Sequence, residues 1–361
     1  MAELTLDQLR ARIDAVDDQL KTLLNARAQL AQQVAEAKLS EGGEVVFYRP
    51  EREAQVLRRV QEGNPGPLDG ETLAKLFREI MSACLALEER LKVAFLGPEG
   101  TFTQQAALKH FGHAVQALPF GTIDEVFREV ESGNARYGVV PVENSTEGVV
   151  NHTLDSFVTS PLKICGEVEL RIHHHLLIGP HTQESRITRV YSHQQTLAQC
   201  RQWLDAHMPG VERVAVSSNA KAARHLKDEW NAAAIAGQVA ADMYGLTVRH
   251  ANIEDQPDNT TRFLIIGRQH TPASGVDKTS LLVRTKNLPG ALFGVLKPFR
   301  DAGVDLTRVE SRPSRQGTWS YVFFMDFEGH QDDPAVAQVL RVLEQEALEV
   351  RVLGSYPKAV I

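Results

Sequence analysis

Residues 4–39 contain no glycine or proline, and apolar side chains fall at Leu6, Leu9, Ile13, Val16, Leu20, Leu23, Leu30, Val34 and Ala37. This 3–4 alternation predicts one long helix with a single apolar seam. At 1.5 Å per residue it is a rod of roughly 50 Å, and Thr5 or Asp7 stands where it can cap the start. A rod of that length cannot bury its seam inside a simple globule built from residues 1–92, so the pattern predicts an intertwined dimer. Helical spacing resumes after Gly42-Gly43, over 49–61 and 71–91, with GNPGPLDG turning between them. Residues 1–92 thus read as three helices.

The period changes at LKVAFLGPEGTF. VAFLG is a short apolar strand ending in glycine, and a helix is expected from Gln104 to Phe111. Strand and helix patterns then alternate to Ile266, which predicts an α/β domain over 93–268, long enough for two lobes and a cleft. RQHTPASGVDK (268–278) reads as a polar linker. The order βαββαβ over 279–361 predicts a small ferredoxin-like domain.

Composition narrows the chemistry. The 361 residues carry a net charge of −7, which argues against a nucleic-acid partner and confines any anion site to a local cationic cluster. Cys84, Cys165 and Cys200 are far apart with no CxxC, as expected of a reducing cytosol and no zinc site. MAELTLDQLR has no apolar leader, and no apolar run approaches ~20 residues, so neither export nor a membrane is expected. RIHHHLLIG (171–179) could suggest a metal. On a strand, however, His173 and His175 face one side and His174 the other; with no second ligand cluster, no metal or other cofactor is expected.

The charges on the rod are the first candidate chemistry. Arg27 occupies a seam position, where an unpaired charge is costly. Lys38 lies only about 20° further round the helix, so both point at one place. Arg10 is about 100° away and would reach a partner's site. Arg52 and Glu53 open the second helix, and Glu88 lies on the third. Arg27 could pair with Glu36, or these groups could form a cationic pocket for a dianion. LRARIDAVDDQLKTLLNARAQLAQQVAEAK, YRPEREAQVL and LFREIMSACLALEE resemble an all-helical chorismate mutase. The resemblance implies Arg10 (from the partner), Arg27 and Arg52 around two carboxylates, Lys38 and Glu88 at the ether oxygen, and Glu53 at the ring hydroxyl. Arg49 and Cys84 stand where relatives carry Asp and Ser as substrate contacts. The pericyclic reaction needs no nucleophile; it needs one held conformer and stabilisation of charge on the ether oxygen. Glu88 can donate there only when protonated, so its pKa is expected to be raised.

The second region carries four motifs. GPEGTFT (97–103) follows a strand but is not GxGxxG, which argues against a nicotinamide site. In PVENSTEG (141–148), Asn144, Ser145 and Thr146 can cap a following helix whose free N–H groups favour an anion. YSHQQTLAQC (191–200) puts Ser192 at a strand end and Gln199 in a helix. DNTTRFLIIG (258–267) sets Thr261 and Arg262 against an apolar strand. In this order the four are similar to prephenate dehydratase, whose two-lobed fold is like that of periplasmic binding proteins. The resemblance assigns Thr261 to the departing ring hydroxyl. It makes Asn144, Ser145, Ser192, Gln199 and Arg262 candidates for the carboxylates and ring, with Glu143 tuning protonation. Arg262 either binds a carboxylate or holds its loop.

NLPGALFGVLKPF (287–299) and ESRPS (310–314) resemble the ACT domain that follows dehydratases and binds phenylalanine. The resemblance implies an effector site from Gly290, Ala291, Leu292, Glu310, Ser311, Arg312 and Pro313, and edge-to-edge pairing. The expectation is a cytoplasmic homodimer, with a tetramer as the larger option. It turns chorismate into prephenate and prephenate into phenylpyruvate under feedback by L-phenylalanine. The alternatives are a mutase fused to a dehydrogenase, disfavoured by the missing GxGxxG, and a two-lobed amino-acid sensor.

Overall fold

A computed structural model describes residues 4–41, 46–286, 288–313 and 321–361. The Gly42-Gly43 break, Asn287, Ser314, Trp319 and Ser320 lie outside the described residues. The rod is α1 (Leu6–Glu41), followed by α2 (Pro50–Glu62) and α3 (Gly70–Glu88). Asp69 caps α3 by accepting from the Thr72 N–H. The seam of α1 is largely open: Leu6, Ile13, Leu20, Leu23 and Leu30 are all more than half exposed.

Two α/β lobes follow. The first holds β1 (Lys92–Leu96), α4 (Phe102–Phe111), β2 (Gln116–Phe120), α5 (Ile123–Glu131), β3 (Tyr137–Asn144), β4 (Gly148–Val149), α6 (Asn151–Thr159) and β5 (Lys163–Arg171). The chain then crosses to a second lobe: β6 (His175–Ile178), β7 (Arg189–His193), α7 (Gln194–Gln199), α8 (Arg201–His207), β8 (Glu212–Val216), α9 (Asn219–His225), β9 (Ala232–Ala236), α10 (Gln238–Tyr244) and β10 (Thr247–His250). It returns to the first lobe as β11 (Thr260–Gly267). The first sheet runs β2-β1-β3-β11-β5, and the second runs β10-β6-β9-β7-β8. Two crossovers therefore join the lobes, and they bond to each other: Ile253 N–H donates to the His174 carbonyl (2.8 Å) and Ile172 N–H to the Asn259 carbonyl (2.8 Å).

The last unit is β12 (Asp277–Arg284), α11 (Ala291–Ala302), β13 (Leu306–Pro313), β14 (Tyr321–Glu328), α12 (Pro334–Glu346) and β15 (Glu349–Pro357). Its order β13-β14-β12-β15 is the expected ferredoxin-like arrangement, with β13 at an edge.

Both joints of the C-terminal unit are closely packed. Residues 268–278 are not a loose tether: Arg58 of α2 holds the Ser274 carbonyl (3.2 Å) and the Val276 carbonyl (2.8 Å). Nor is the C-terminal unit a separate body. Leu282, Val322, Phe324, Leu353 and Tyr356 share one buried core with Val140, Leu264 and Phe157 of the first lobe. A side chain at Gly354 would collide with the Ile164 backbone, so the two sheets meet at backbone distance. The polar composition of the linker and the unit's own fold gave no sign of this long-range packing.

Candidate functional sites

The helical domain carries an open cavity of about 850 Å³. Arg27, Val34 and Lys38 of α1, Arg52 and Glu53 of α2, and Met81, Leu85 and Glu88 of α3 line it, with Arg49 at the start of α2 and Pro272 and Ala273 of the linker. The angular reading of α1 thus brings Arg27 and Lys38 together. Lys38 Nζ rests on the Val46 carbonyl (3.1 Å). Partial burial raises the Glu88 carboxyl above its usual range, with Lys38 and Arg27 opposing.

Other residues stand differently. Arg10 lies outside this cavity, exposed, with a 3.7 Å contact to Asp7. Arg49 pairs with buried Glu51 at 2.6 Å. Cys84 is buried and is not among the lining residues: Met81, Leu85 and Glu88 share the cavity face, and Cys84 sits one position off it. Glu53 faces the cavity but is also bound to Arg78 at 3.1 Å. Burial raises its pKa, against Arg78 and a bond from the Tyr48 hydroxyl. Arg78 in turn bonds the His110 carbonyl of α4, and the Tyr48 hydroxyl meets His110 Nε2 at 3.0 Å. Neither Arg78 nor His110 carried a local sequence signal, because their pairing spans two domains.

Between the lobes, the strand ends converge on a hydrogen-bonded network. PVENSTEG does not cap a helix as expected. Gly148 and Val149 fold back onto β3 as β4, and α6 begins at Asn151 with no side-chain cap. Instead the Asn144 Oδ1 accepts from the backbone N–H of Thr146 (2.9 Å) and of Glu147 (3.0 Å). Those two donors fix the amide, so its Nδ2 must face the other way. It donates to Thr261 Oγ1 at 2.7 Å and to Asn259 Oδ1 at 2.8 Å. The direction propagates: Asn259 Nδ2 faces Gln199 Oε1 (3.3 Å), and Gln199 Nε2 faces Glu147 Oε1 (3.2 Å). His174 Nε2 lies 2.9 Å from the same Gln199 Oε1. Since that oxygen only accepts, the ring carries its proton on Nε2. Burial pulls the His174 pKa below its usual value, which favours the neutral ring.

The consequence for Thr261 is chemical. Its oxygen already accepts one bond from an oriented amide, so its own O–H is left to donate. Thr261 is only 9% exposed, on the strand end where the two crossovers close on the first lobe. Ser145 sits beside it at the rim, where its Oγ accepts from the Thr260 N–H at 2.9 Å.

Three predicted cleft residues are elsewhere. Ser192 is fully buried near the end of β7, where its single hydroxyl proton lies between the Ile235 carbonyl (2.7 Å) and Asn219 Oδ1 (2.9 Å). Glu143 and Arg262 stand opposite one another on β3 and β11, on the sheet face away from Thr261. Glu143 pairs with Arg308 at 2.9 Å, and Arg262 enters a buried cluster with the C-terminal unit. Strand alternation is the reason: neighbours Thr261 and Arg262 cannot share a face. Asn259, Gln199's partner His174, and Glu147 join the site instead. The polar run before FLII was the only sequence signal for Asn259, and HHH the only one for His174.

His173 and His175 do face away from His174, and His173 Nδ1 bonds Glu254 Oε1 at 2.8 Å. Burial works against the Glu254 charge, but the His174 N–H and the His173 ring hold its pKa below the usual range. Among the described residues no group of His, Cys, Asp and Glu is placed to hold a metal ion, and no helix is long and apolar enough to cross a membrane.

The two effector motifs share one end of the last sheet. Arg284, which closes β12, and Arg312 both stand opposite Val322 of β14. Gly290 precedes α11 with φ 80°, a left-handed value that favours glycine. Ala291 and Leu292 open that helix, with Leu292 exposed. Glu310 and Ser311 lie on edge strand β13. Arg312 reaches Asp155 (2.7 Å) and Asn151 (2.5 Å) of α6 and, with Pro313, lines a cavity of about 290 Å³ against the first lobe.

Family comparisons agree with this division. Residues 9–89 match the chorismate mutase type II model, 93–271 the prephenate dehydratase model and 279–345 the ACT domain model. A bifunctional chorismate mutase/prephenate dehydratase of Pseudomonas aeruginosa is 62% identical over 99% of this chain and 98% of its own length. One from Stutzerimonas stutzeri is 61% identical over the same shares. The crystal structure of a prephenate dehydratase from Arthrobacter aurescens in complex with L-Phe superposes with a TM-score of 0.68 at 36% identity, over 74% of this chain and 90% of that one. With three domain matches in order and near-complete coverage, this chain belongs to the bifunctional chorismate mutase/prephenate dehydratase family.

Proposed function

We propose that the enzyme performs its two reactions in the two sites just described. It converts chorismate to prephenate in the helical cavity. Arg27 and Arg52 bind the two carboxylates there, Glu53 meets the ring hydroxyl, and Lys38 with protonated Glu88 stabilises the charge on the ether oxygen as the C–O bond breaks and the C–C bond forms. No proton is gained or lost overall, so catalysis rests on conformer selection and preorganised charge.

Prephenate is consumed in the interlobe site. The ring carboxylate leaves as CO₂, its electrons aromatise the ring, and the ring hydroxyl departs. That oxygen needs a donor. The observation that carries the reading is the orientation of Asn144 by two backbone amides, which makes Thr261 an acceptor on one side and a donor on the other. Gln199, Asn144 and Ser145 border the same site. The departing hydroxide takes a proton that solvent replaces, so the products are phenylpyruvate, CO₂ and water with one proton consumed.

The exposed seam of α1, a rod too long for its own domain, is covered by a second copy of the chain. Arg10 then enters the partner's cavity. The edge strand β13 offers a second pairing surface, where Gly290–Leu292 and Glu310–Pro313 bind L-phenylalanine and lower dehydratase activity. Supplying chorismate alone and following phenylpyruvate tests the whole reading; prephenate accumulation without phenylpyruvate would overturn the second half.

A further inference from the structure

We propose that Arg262 is a positioning residue for Thr261, which it sets from the far side of the sheet through anchors that the ACT domain supplies. The proposal rests on the reading of Thr261 as donor. Every nitrogen of the Arg262 guanidinium is engaged: Nε to Glu167 Oε2 (2.9 Å), Nη1 to Asp326 Oδ2 (2.5 Å) and Nη2 to the Tyr356 hydroxyl (2.9 Å). Glu167 belongs to β5 of the first lobe; Asp326 and Tyr356 belong to β14 and β15. Each anchor is itself held. Lys278 Nζ lies 2.9 Å from Glu167 Oε1, and Ser280 Oγ lies 2.5 Å from Asp326 Oδ1 and 2.8 Å from the Tyr356 hydroxyl. Two cations and two carboxylates, Arg262 and Lys278 with Glu167 and Asp326, thus form a buried and charge-balanced cluster.

Its place on β11 gives it leverage. The pairing of β11 with β3 slips by one residue between Arg262 and Phe263, with Val142 of β3 as the extra residue, so the ladder on that side is interrupted one residue past Thr261, while the ladder to β5 runs on from Thr260 to Ile265. Such bulges bend the strand that carries them and re-aim its side chains, here the strand that presents Asn144 to Thr261. On that side the setting of β11 next to Thr261 rests on what fixes Arg262, whose fork fits only one arrangement of three oxygens. Three of its five N–H groups are spent on these anchors, and the side chain lies on the sheet face away from Thr261, so the geometry favours holding the strand over binding a substrate carboxylate.

The test is steady-state kinetics of dehydration in the full-length enzyme with Arg262→Gln, Arg262→Lys, Asp326→Asn and Tyr356→Phe. Displacing a catalytic group by about 1 Å costs on the order of 100-fold. Arg262→Gln is therefore expected to lower kcat by about 10- to 100-fold with KM within about threefold. Arg262→Lys, which keeps the charge and part of the bonding, falls between it and the parent. Asp326→Asn and Tyr356→Phe, far from the cleft, lower kcat by about threefold or more, and mutase kcat/KM stays at the parent value in all four. A rise in KM with kcat intact for Arg262→Gln would make Arg262 a substrate ligand and overturn the proposal. So would parental dehydratase kcat in both Asp326→Asn and Tyr356→Phe, a result obtainable even if the Arg262 variants fail to fold. Failure of the Thr261 reading shows separately, as a Thr261→Val enzyme that still dehydrates.

Discussion

Thr261→Val isolates the hydroxyl, because valine keeps the shape and suits a strand. Asn144 Nδ2 keeps its bond to Asn259 Oδ1 at 2.8 Å, while its second N–H, which met Thr261 at 2.7 Å, loses its acceptor. The stability loss should be about 1–3 kcal/mol, the cost of leaving that donor unmatched. The effect on rate separates two roles. If the hydroxyl only accepts from Asn144, losing it should cost about 1 kcal/mol in the barrier, a few-fold in kcat. If it donates to the departing oxygen, one lost donor costs roughly 100- to 1,000-fold, about 2.7–4 kcal/mol. Phenylpyruvate absorbance with prephenate as substrate measures the dehydratase, and disappearance of chorismate measures the mutase in the same preparation. Asn144→Asp adds a directional check. A carboxylate there can only accept, so it would turn the Thr261 proton inward and face Asn259 Oδ1 with a second acceptor. It should cost at least as much as Thr261→Val. A Thr261→Val enzyme within about fivefold of the parent, or one that loses both activities equally, would refute the donor assignment.

The mutase should weaken as pH rises. Glu88 donates only while protonated, and its raised pKa extends that form upward in pH until deprotonation removes the donor. Glu88→Gln should give a profile without that fall, and a parent profile flat from mildly acid to alkaline pH would exclude the role. Ile13→Asp with Leu20→Asp should break a dimer built on the α1 seam, read as a fall to monomer mass in sedimentation. Arg10→Ala and Arg27→Ala enzymes should each lose most mutase activity, and chains co-expressed as a mixed dimer should regain it at one site of two. No recovery would place Arg10 outside the partner's cavity. Arg312→Ala should weaken L-phenylalanine binding in calorimetry and blunt its inhibition of the dehydratase, while mutase activity holds; unchanged binding would remove Arg312 from the effector site.

The sequence made local periodicity readable and left facing ambiguous. The spacing of Arg27 and Lys38 gave a shared cavity wall because both lie on one uninterrupted helix. The motif GPEGTFT ended a strand and opened α4, with Thr101 accepting from the Gln104 N–H at 3.4 Å. Amphipathic α5 escaped notice although Thr122 and Glu125 form a capping box, a signal the sequence does print. Ser192, Glu143 and Arg262 sat in the right motifs but faced the wrong way. Period-2 alternation already forbids Thr261 and Arg262 a common face. What fills the second face depends in part on a strand that comes about sixty residues later (Asp326 is 64 residues from Arg262), and no local pattern encodes that.

The same strand therefore belongs to two domains at once. On one face of β11, Thr261 joins the amide network of the cleft; on the other, Arg262 and Leu264 join the ACT sheet. The apolar core shared by the two units is enough to hold them together, and buried ion pairs are weak evidence of added stability. The charges contribute registry instead. The contacts among Val140, Leu264, Val322 and Phe324 are non-directional, whereas three oxygens around a planar guanidinium fix one geometry. A shift of the ACT sheet small enough to keep its apolar contacts must still move Arg262 or break its bonds, and either outcome is felt one residue away at Thr261. If L-phenylalanine binds at Glu310–Pro313 as proposed, on the strand bonded to β14, its binding has this route to the Thr261 hydroxyl.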